Sequence, residues 1–157
     1  CETLPALYTC APTSIPSPTP TSAIPTLTPT SIPTPILTSP RTNQEVALSA
    51  LYHSTAGSAW IQNWGWFTGA ACSGSSFWAG VNCSGGEVVN LILPYNNLVG
   101  SLPTELGLLT SITSGFALYQ NSLTGSLPSE LGLLTLLTVN MNLATNSLTG
   151  TLPSELG

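Results

Sequence analysis

Apolar residues in the second half of the chain recur at fixed offsets. The phrase Asn-x-Leu-x-Gly-x-Leu-Pro-x-Glu-Leu-Gly begins at Asn96, at Asn121 and at Asn146, a spacing of 25 residues. A period in the twenties is too short for a self-sufficient domain and too long for a heptad, and it predicts that each unit is one coil of a solenoid. Within a coil, alternation of apolar and polar positions marks a short strand of a parallel sheet, with Leu91-Ile92-Leu93 as the first. Val88, Leu91, Leu93 and Leu98 are expected to point inward, followed by Phe116 and Leu118, then by Met141 and Leu143. The same period of two sends Asn90, Ile92 and Pro94, then Gly115, Ala117 and Tyr119, then Asn140, Asn142 and Ala144 to the concave face, which is uncharged.

Upstream the pattern changes twice. Thr42-Asn43-Gln44-Glu45 has the form of a helix capping box, and Val46, Leu48, Leu51 and Tyr52 follow at helical spacing, which predicts a helix over about 43–53. Gly57, Gly65 and Gly69, interleaved with Trp60, Trp64, Trp66 and Phe67, predict an irregular cap built on indole rings and leading into Cys72. Before the helix, residues 11–40 hold nine prolines and thirteen Ser or Thr, with no Gly and no charge. Proline fixes φ and pushes its predecessor toward the same region, so this segment is expected to be an extended polyproline II arm, about 90 Å long at 3.1 Å per residue. Pro-Thr-Ser-Ile-Pro at 12–16 recurs at 29–33, with a longer variant at 20–25.

Composition sharpens this picture. The chain has one Arg, Arg41, with no Lys, one His and six Glu, and only 4% of it is charged, against about a quarter in an average domain. Attached sugar, or burial of surface against other copies, would keep such a surface dispersed. The net charge of -5 argues against nucleic acid, whose affinity rests on Lys and Arg. No run of 18 or more apolar residues exists to span a membrane in this segment. Four cysteines point to two disulfides and an oxidising, extracellular compartment. Three pairings are open, and the local ones, Cys1 with Cys10 and Cys72 with Cys83, each close a short loop.

Ser/Thr/Pro composition suits O-glycosylated stalks, because an extended backbone leaves every hydroxyl accessible. The arm resembles the hydroxyproline-rich, extensin-like glycoproteins of plant and algal walls. On that resemblance the candidates for sugar or hydroxylation are Thr13, Ser14, Pro16, Ser17, Pro18, Thr19, Pro20, Thr21, Ser22, Pro25, Thr26, Thr28, Pro29, Thr30, Ser31, Pro33, Thr34, Pro35, Thr38 and Ser39. A plain linker would share the composition; Ile15, Ile24, Leu27, Ile32, Ile36 and Leu37 better suit an arm lying on something. Asn82-Cys83-Ser84 is a weak N-linked sequon at Asn82.

From Glu45-Val46-Ala47-Leu48 through Trp60, Trp64-Gly65-Trp66 and Cys72 to Trp78-Ala79-Gly80-Val81-Asn82-Cys83, the chain is similar to the N-terminal capping domain of plant-type leucine-rich repeat proteins. The resemblance covers about 42–157. It implies that Asn96, Asn121 and Asn146 form a buried amide ladder between coils, a structural role. The second and third coils each hold one residue more than the common length of about 24, so a bulge is expected before each strand. Family members that bind on the concave face carry charged or aromatic side chains there, which counts against a receptor or inhibitor role.

The expected organisation is therefore a small disulfide loop over 1–10, the arm over 11–41, a cap over 42–87 and about two and a half to three repeats over 88–157. The fold class is an α/β leucine-rich repeat solenoid with a short parallel sheet, an N-terminal helical cap with a disulfide, and the extended arm. Pro103, Pro128 and Pro153 are expected at the first position of a short helical turn, with Glu105, Glu130 and Glu155 capping it. A column of carboxylates binding calcium or sugar is the sharper alternative, but no further hard ligands lie in register and neither a metal nor a cofactor is expected. Catalysis is not expected either, since His53 stands alone and no nucleophile elbow or phosphate loop is present. The final coil's apolar edge calls for more repeats or for a head-to-tail neighbour. The first functional expectation is a secreted structural glycoprotein that polymerises with itself, its arm and attached glycans touching a neighbouring subunit. The alternative is a ligand-binding ectodomain with a glycosylated stalk.

Overall fold

A computed structural model of the chain describes residues 42–74, 78–138 and 141–156. The expected Cys1–Cys10 loop, the arm with its modification candidates, and Asn140 lie outside the described residues. The expected helix is α1, Asn43–Ser54. Thr42 Oγ1 accepts from the Glu45 N–H at 3.3 Å while the Thr42 N–H donates to Glu45 Oε2 at 3.2 Å. This reciprocal box satisfies two groups that the helix ladder leaves open. Helical spacing turns Ala47, Leu48 and Leu51 inward, against a 3-10 helix at Thr104–Leu108.

The described residues form β1 (Val81–Ser84), β2 (Glu87–Ile92), β3 (Val99–Ser101), β4 (Gly115–Ala117), β5 (Ser122–Gly125), β6 (Met141–Asn142) and β7 (Ser147–Leu148). One sheet runs β1-β2-β4-β6. Its first pair is antiparallel, a two-glycine hairpin through Gly85-Gly86, and the others are parallel, with Leu91 opposite Phe116 and Phe116 opposite Met141. The repeat period thus sets the strand register. A second parallel sheet, β3-β5-β7, was not anticipated: its strands are only two to four residues long and two of them hold a glycine, Gly100 and Gly125, which is depleted in strands, and lateral pairing between neighbouring repeats supplies what so short a segment lacks.

Before β4 the Val89 carbonyl accepts from two successive amides, Thr113 at 3.1 Å and Ser114 at 3.4 Å, which accommodates the extra residue. The proline expectation needs correcting. Pro103 and Pro128 are extended residues (ψ 150 and 137) that precede the 3-10 helices Thr104–Leu108 and Ser129–Leu133, rather than their first helical residues. Glu105, Glu130 and Glu155 cap no backbone group; the carboxylate Oε2 of each accepts instead from the neighbouring Thr104, Ser129 or Ser154 hydroxyl at 3.3 Å. A helix of one tight turn offers too few aligned amides to hold a carboxylate.

The glycine that ends each phrase has a steric cause. A Cβ at Gly107 would lie 2.5 Å from the Glu130 carbonyl oxygen, and one at Gly132 would lie 2.6 Å from that of Glu155. Successive 3-10 helices stack at that point only because no side chain intervenes.

The core continues from repeat to repeat through Leu91, Leu98, Leu106, Phe116, Leu118, Leu123 and Leu131, all fully buried. At its N-terminal end sits the aromatic cap. Trp60 meets Trp66 edge-on with centroids 4.9 Å apart, and Trp66 meets Trp78, also at 4.9 Å. Trp60 Nε1 donates to the Thr55 carbonyl at 2.9 Å and Trp66 Nε1 to that of Ala79 at 3.0 Å, whereas Trp78 Nε1 has no partner. A disulfide joins Cys72 to Cys83.

Candidate functional site

The outward side of the β1-β2-β4-β6 sheet is the most distinctive surface among the described residues. Parallel register lines up Asn90 with Gly115, and Ile92 with Ala117 and then Asn142. Beyond the strand ends, the Tyr95 N–H donates to the Tyr119 carbonyl, and the two rings meet edge-to-face with centroids 5.5 Å apart. Ile92 is 39% exposed and Tyr95 60%, so large apolar surface here is left in water. Ala117 and Tyr119 are half-buried and Asn142 is exposed.

Two segments of the cap are joined to this part of the sheet by backbone bonds. Ile61 donates its N–H to the Asn96 carbonyl, beside Tyr95, and is 71% exposed. Trp64, 62% exposed, accepts at its carbonyl from Ala79, whose neighbour Gly80 in turn accepts from Ile92. Backbone bonds therefore link the bearers of five exposed or half-exposed apolar side chains: Ile61, Trp64, Ile92, Tyr95 and Tyr119. Among the described residues the glutamates lie elsewhere, Glu45 in the first turn of α1, Glu87 at the start of β2, and Glu105, Glu130 and Glu155 in the 3-10 helices. Asn90 contributes the only buried side-chain polar atom at the sheet face that lacks a partner among the described residues, its Oδ1.

Tyr95 was absent from the expected concave face, because strict alternation stops at Pro94. Its backbone is left-handed (φ 52), as are Gln120 (φ 53) and Thr145 (φ 56) one and two repeats on. The turn imposes that conformation in every repeat, at a cost for a bulky residue. Nothing in the turn requires an aromatic side chain there. A signal was legible in the pair Tyr95 and Tyr119, which fall within one residue of the same place in successive repeats.

The asparagines build the support beneath. Asn121 Oδ1 accepts from the Asn96 and Leu98 amides at 2.9 and 3.0 Å, and its Nδ2 donates to the Leu93 and Leu118 carbonyls at 2.9 Å. Asn146 repeats the pattern with Leu123, Leu118 and Leu143. Asn96, lacking a preceding repeat, exchanges bonds with the Gln62 backbone, Oδ1 accepting at 2.6 Å and Nδ2 donating at 3.1 Å. Asn82 is exposed on β1, beside the disulfide. His53 lies in the last turn of α1, exposed, its ring beside Tyr52 and Phe67 and its Nδ1 2.7 Å from the Ser49 carbonyl. Among the described residues no three His, Cys, Asp or Glu side chains converge on a metal site, and no helix is long and apolar enough to cross a membrane.

Comparison with known structures places this geometry. The BIR2 ectodomain of Arabidopsis thaliana superposes with a TM-score of 0.62 at 27% identity, covering 74% of this chain and 62% of that one. A chain of the BIR3–SERK2 complex of the same plant gives 0.55 at 26% identity, covering 72% and 61%. The fold is that of plant leucine-rich repeat ectodomains. The ectodomain of the receptor kinase SOBIR1, 19% identical with a TM-score of 0.53 over 71% of this chain and 57% of that one, agrees on the fold alone. The match spans less than two thirds of the length of each of these leucine-rich repeat chains. No family sequence model and no curated protein matches the chain.

Proposed function

We propose that the chain is an extracellular recognition module, a leucine-rich repeat solenoid that binds a protein or peptide on the face bearing Ile92, Tyr95 and Tyr119. The observation that carries this reading is the exposed tyrosine pair held edge-to-face on a regular, amide-braced sheet. Aromatic residues supply much contact area for little ordering entropy, and they dominate interface energetics. Tyr119 was the one aromatic side chain expected on this face, and its pairing with Tyr95 counts against excluding a receptor-like role. Likeness to the BIR2 ectodomain, and to a chain solved in the BIR3–SERK2 complex, supports the same direction. Paired cysteines and the plant-ectodomain fold support an extracellular location.

A panel of purified extracellular domains, probed with this chain and with Ile92→Lys, tests the reading. A specific partner is expected to bind the parent chain and to be lost on adding a buried charge at the interface, at about 2 kcal/mol or more. Capture that survives the substitution with unchanged affinity would remove this face from the function.

A second reading, self-assembly into a fibre or wall component, has one structural observation in its favour. An open hollow of about 720 Å³ beside the last repeat is lined by Leu127, Leu134, Leu137, Met141, Leu143 and Leu156, a surface that a further copy would cover in a head-to-tail stack. In that reading the glycosylated, hydroxylated arm adds contact with a neighbour.

A further inference from the structure

The face carries no carboxylate or cation along the row from Ile61 to Tyr119, so its ligand gains nothing from charge and loses by bringing any. It presents ring edges and faces rather than a slot: Tyr95 and Tyr119 stand nearly perpendicular, at 79°, and Ile61, Trp64 and Ile92 expose apolar surface in segments joined to theirs by backbone bonds. An extended peptide of alternating proline and small residues fits such a surface. Proline rings pack between aromatic side chains, and a preformed polyproline II backbone has little ordering entropy left to lose.

The chain itself carries a segment of this chemistry. Residues 11–40 hold nine prolines, thirteen Ser or Thr and no ionisable side chain, with Pro-Thr-Ser-Ile-Pro at 12–16 and again at 29–33. Face and segment match in being uncharged and apolar. Resting on the recognition reading above, we propose that the occupant of the Ile61–Trp64–Ile92–Tyr95–Tyr119 face is the proline-rich segment 11–40 of a second copy of this chain. The partner is thus another copy's arm, and association proceeds through a sheet face rather than through the hollow at the last repeat.

Sedimentation velocity of the full chain over a range of concentrations tests this, with a synthetic 11–40 peptide as competitor. Expected are concentration-dependent association, its reversal by the peptide, and no reversal by a peptide whose nine prolines are replaced by alanine. The double variant Tyr95→Asn, Tyr119→Ser, in which asparagine tolerates the left-handed backbone, should associate about tenfold more weakly or less, with unchanged circular dichroism. Leu152→Ser, at the last repeat, should associate like the parent. A parent chain that stays monomeric, competition by both peptides alike, or association lost through Leu152→Ser and kept in the tyrosine variant would overturn the proposal. These failures differ from failure of the recognition reading, in which a panel partner remains bound despite Ile92→Lys.

Discussion

Leu102 and Leu152 hold the same place in the repeated phrase, two repeats apart, yet Leu102 is 6% exposed and Leu152 is 68% exposed. The same contrast runs through other positions. Phe116, Leu118 and Leu123 are fully buried, whereas Met141, Leu143 and Leu148, one repeat on, are half-buried. Nothing local distinguishes them, since the strands pair in register and the asparagine bonds recur. In a repeat array, burial of a side chain is a property of the neighbour that covers it, and stability is a sum of intrinsic terms and interfaces between adjacent units.

The largest test of this contrast is a pair of truncations at one repeat position. Phe116→Ala removes a fully buried ring from the middle of the array and should destabilise by about 3–5 kcal/mol, because the surrounding repeats cannot collapse into the void. Met141→Ala removes a side chain already in contact with water, and a loss nearer 1 kcal/mol is expected from the smaller area concerned. Thermal and denaturant unfolding followed by circular dichroism measure both. Equal losses would break the comparison and show that the last repeat is held as firmly as the one before it.

Most of the scaffold was readable because its causes are local or periodic. The period gives the register of β2, β4 and β6, and Thr42 with Glu45 marks the start of α1 within a residue. Leu91, Leu93, Phe116 and Leu118 face inward as alternation demands. What escaped is what depends on neighbours. The β3-β5-β7 sheet forms from segments of two to four residues, too short to mark a strand alone. Pro103 and Pro128 stand outside their helices because a 3-10 turn starts one residue later than an α-helical reading assumes. Tyr95 joins the face through a left-handed turn, where alternation has no meaning.

Stacking at the phrase's final glycine sharpens the comparison. Gly107→Ala drives a methyl group against the Glu130 backbone, in a repeat clamped on both sides, and should cost about 1–3 kcal/mol. Gly132→Ala makes the same clash with Glu155, but Glu155 and Ser154 are exposed and have room to shift. A distinctly smaller loss is expected there, read from the same unfolding curves. Should Gly132→Ala cost as much, the final 3-10 helix would be as firmly seated as its predecessor.

The smallest effect is expected at the opposite end, where the cap is held redundantly. Thr42→Ala abolishes the capping box and should cost about 1 kcal/mol. Gln44 limits the damage: its Nε2 donates to the Gly86 carbonyl at 2.8 Å and its Oε1 accepts from the Val88 amide at 2.7 Å. That double bond ties the first turn of α1 to the β1–β2 hairpin whatever residue precedes it. Hydrogen exchange should therefore quicken at the amide of Glu45, which loses its acceptor, and stay slow at Val88, whose acceptor remains. Faster exchange spreading through Val88 and Leu91 would mean that the box, and not the Gln44 clamp, joins helix to sheet, and that the cap end is as dependent on a single contact as the last repeat is.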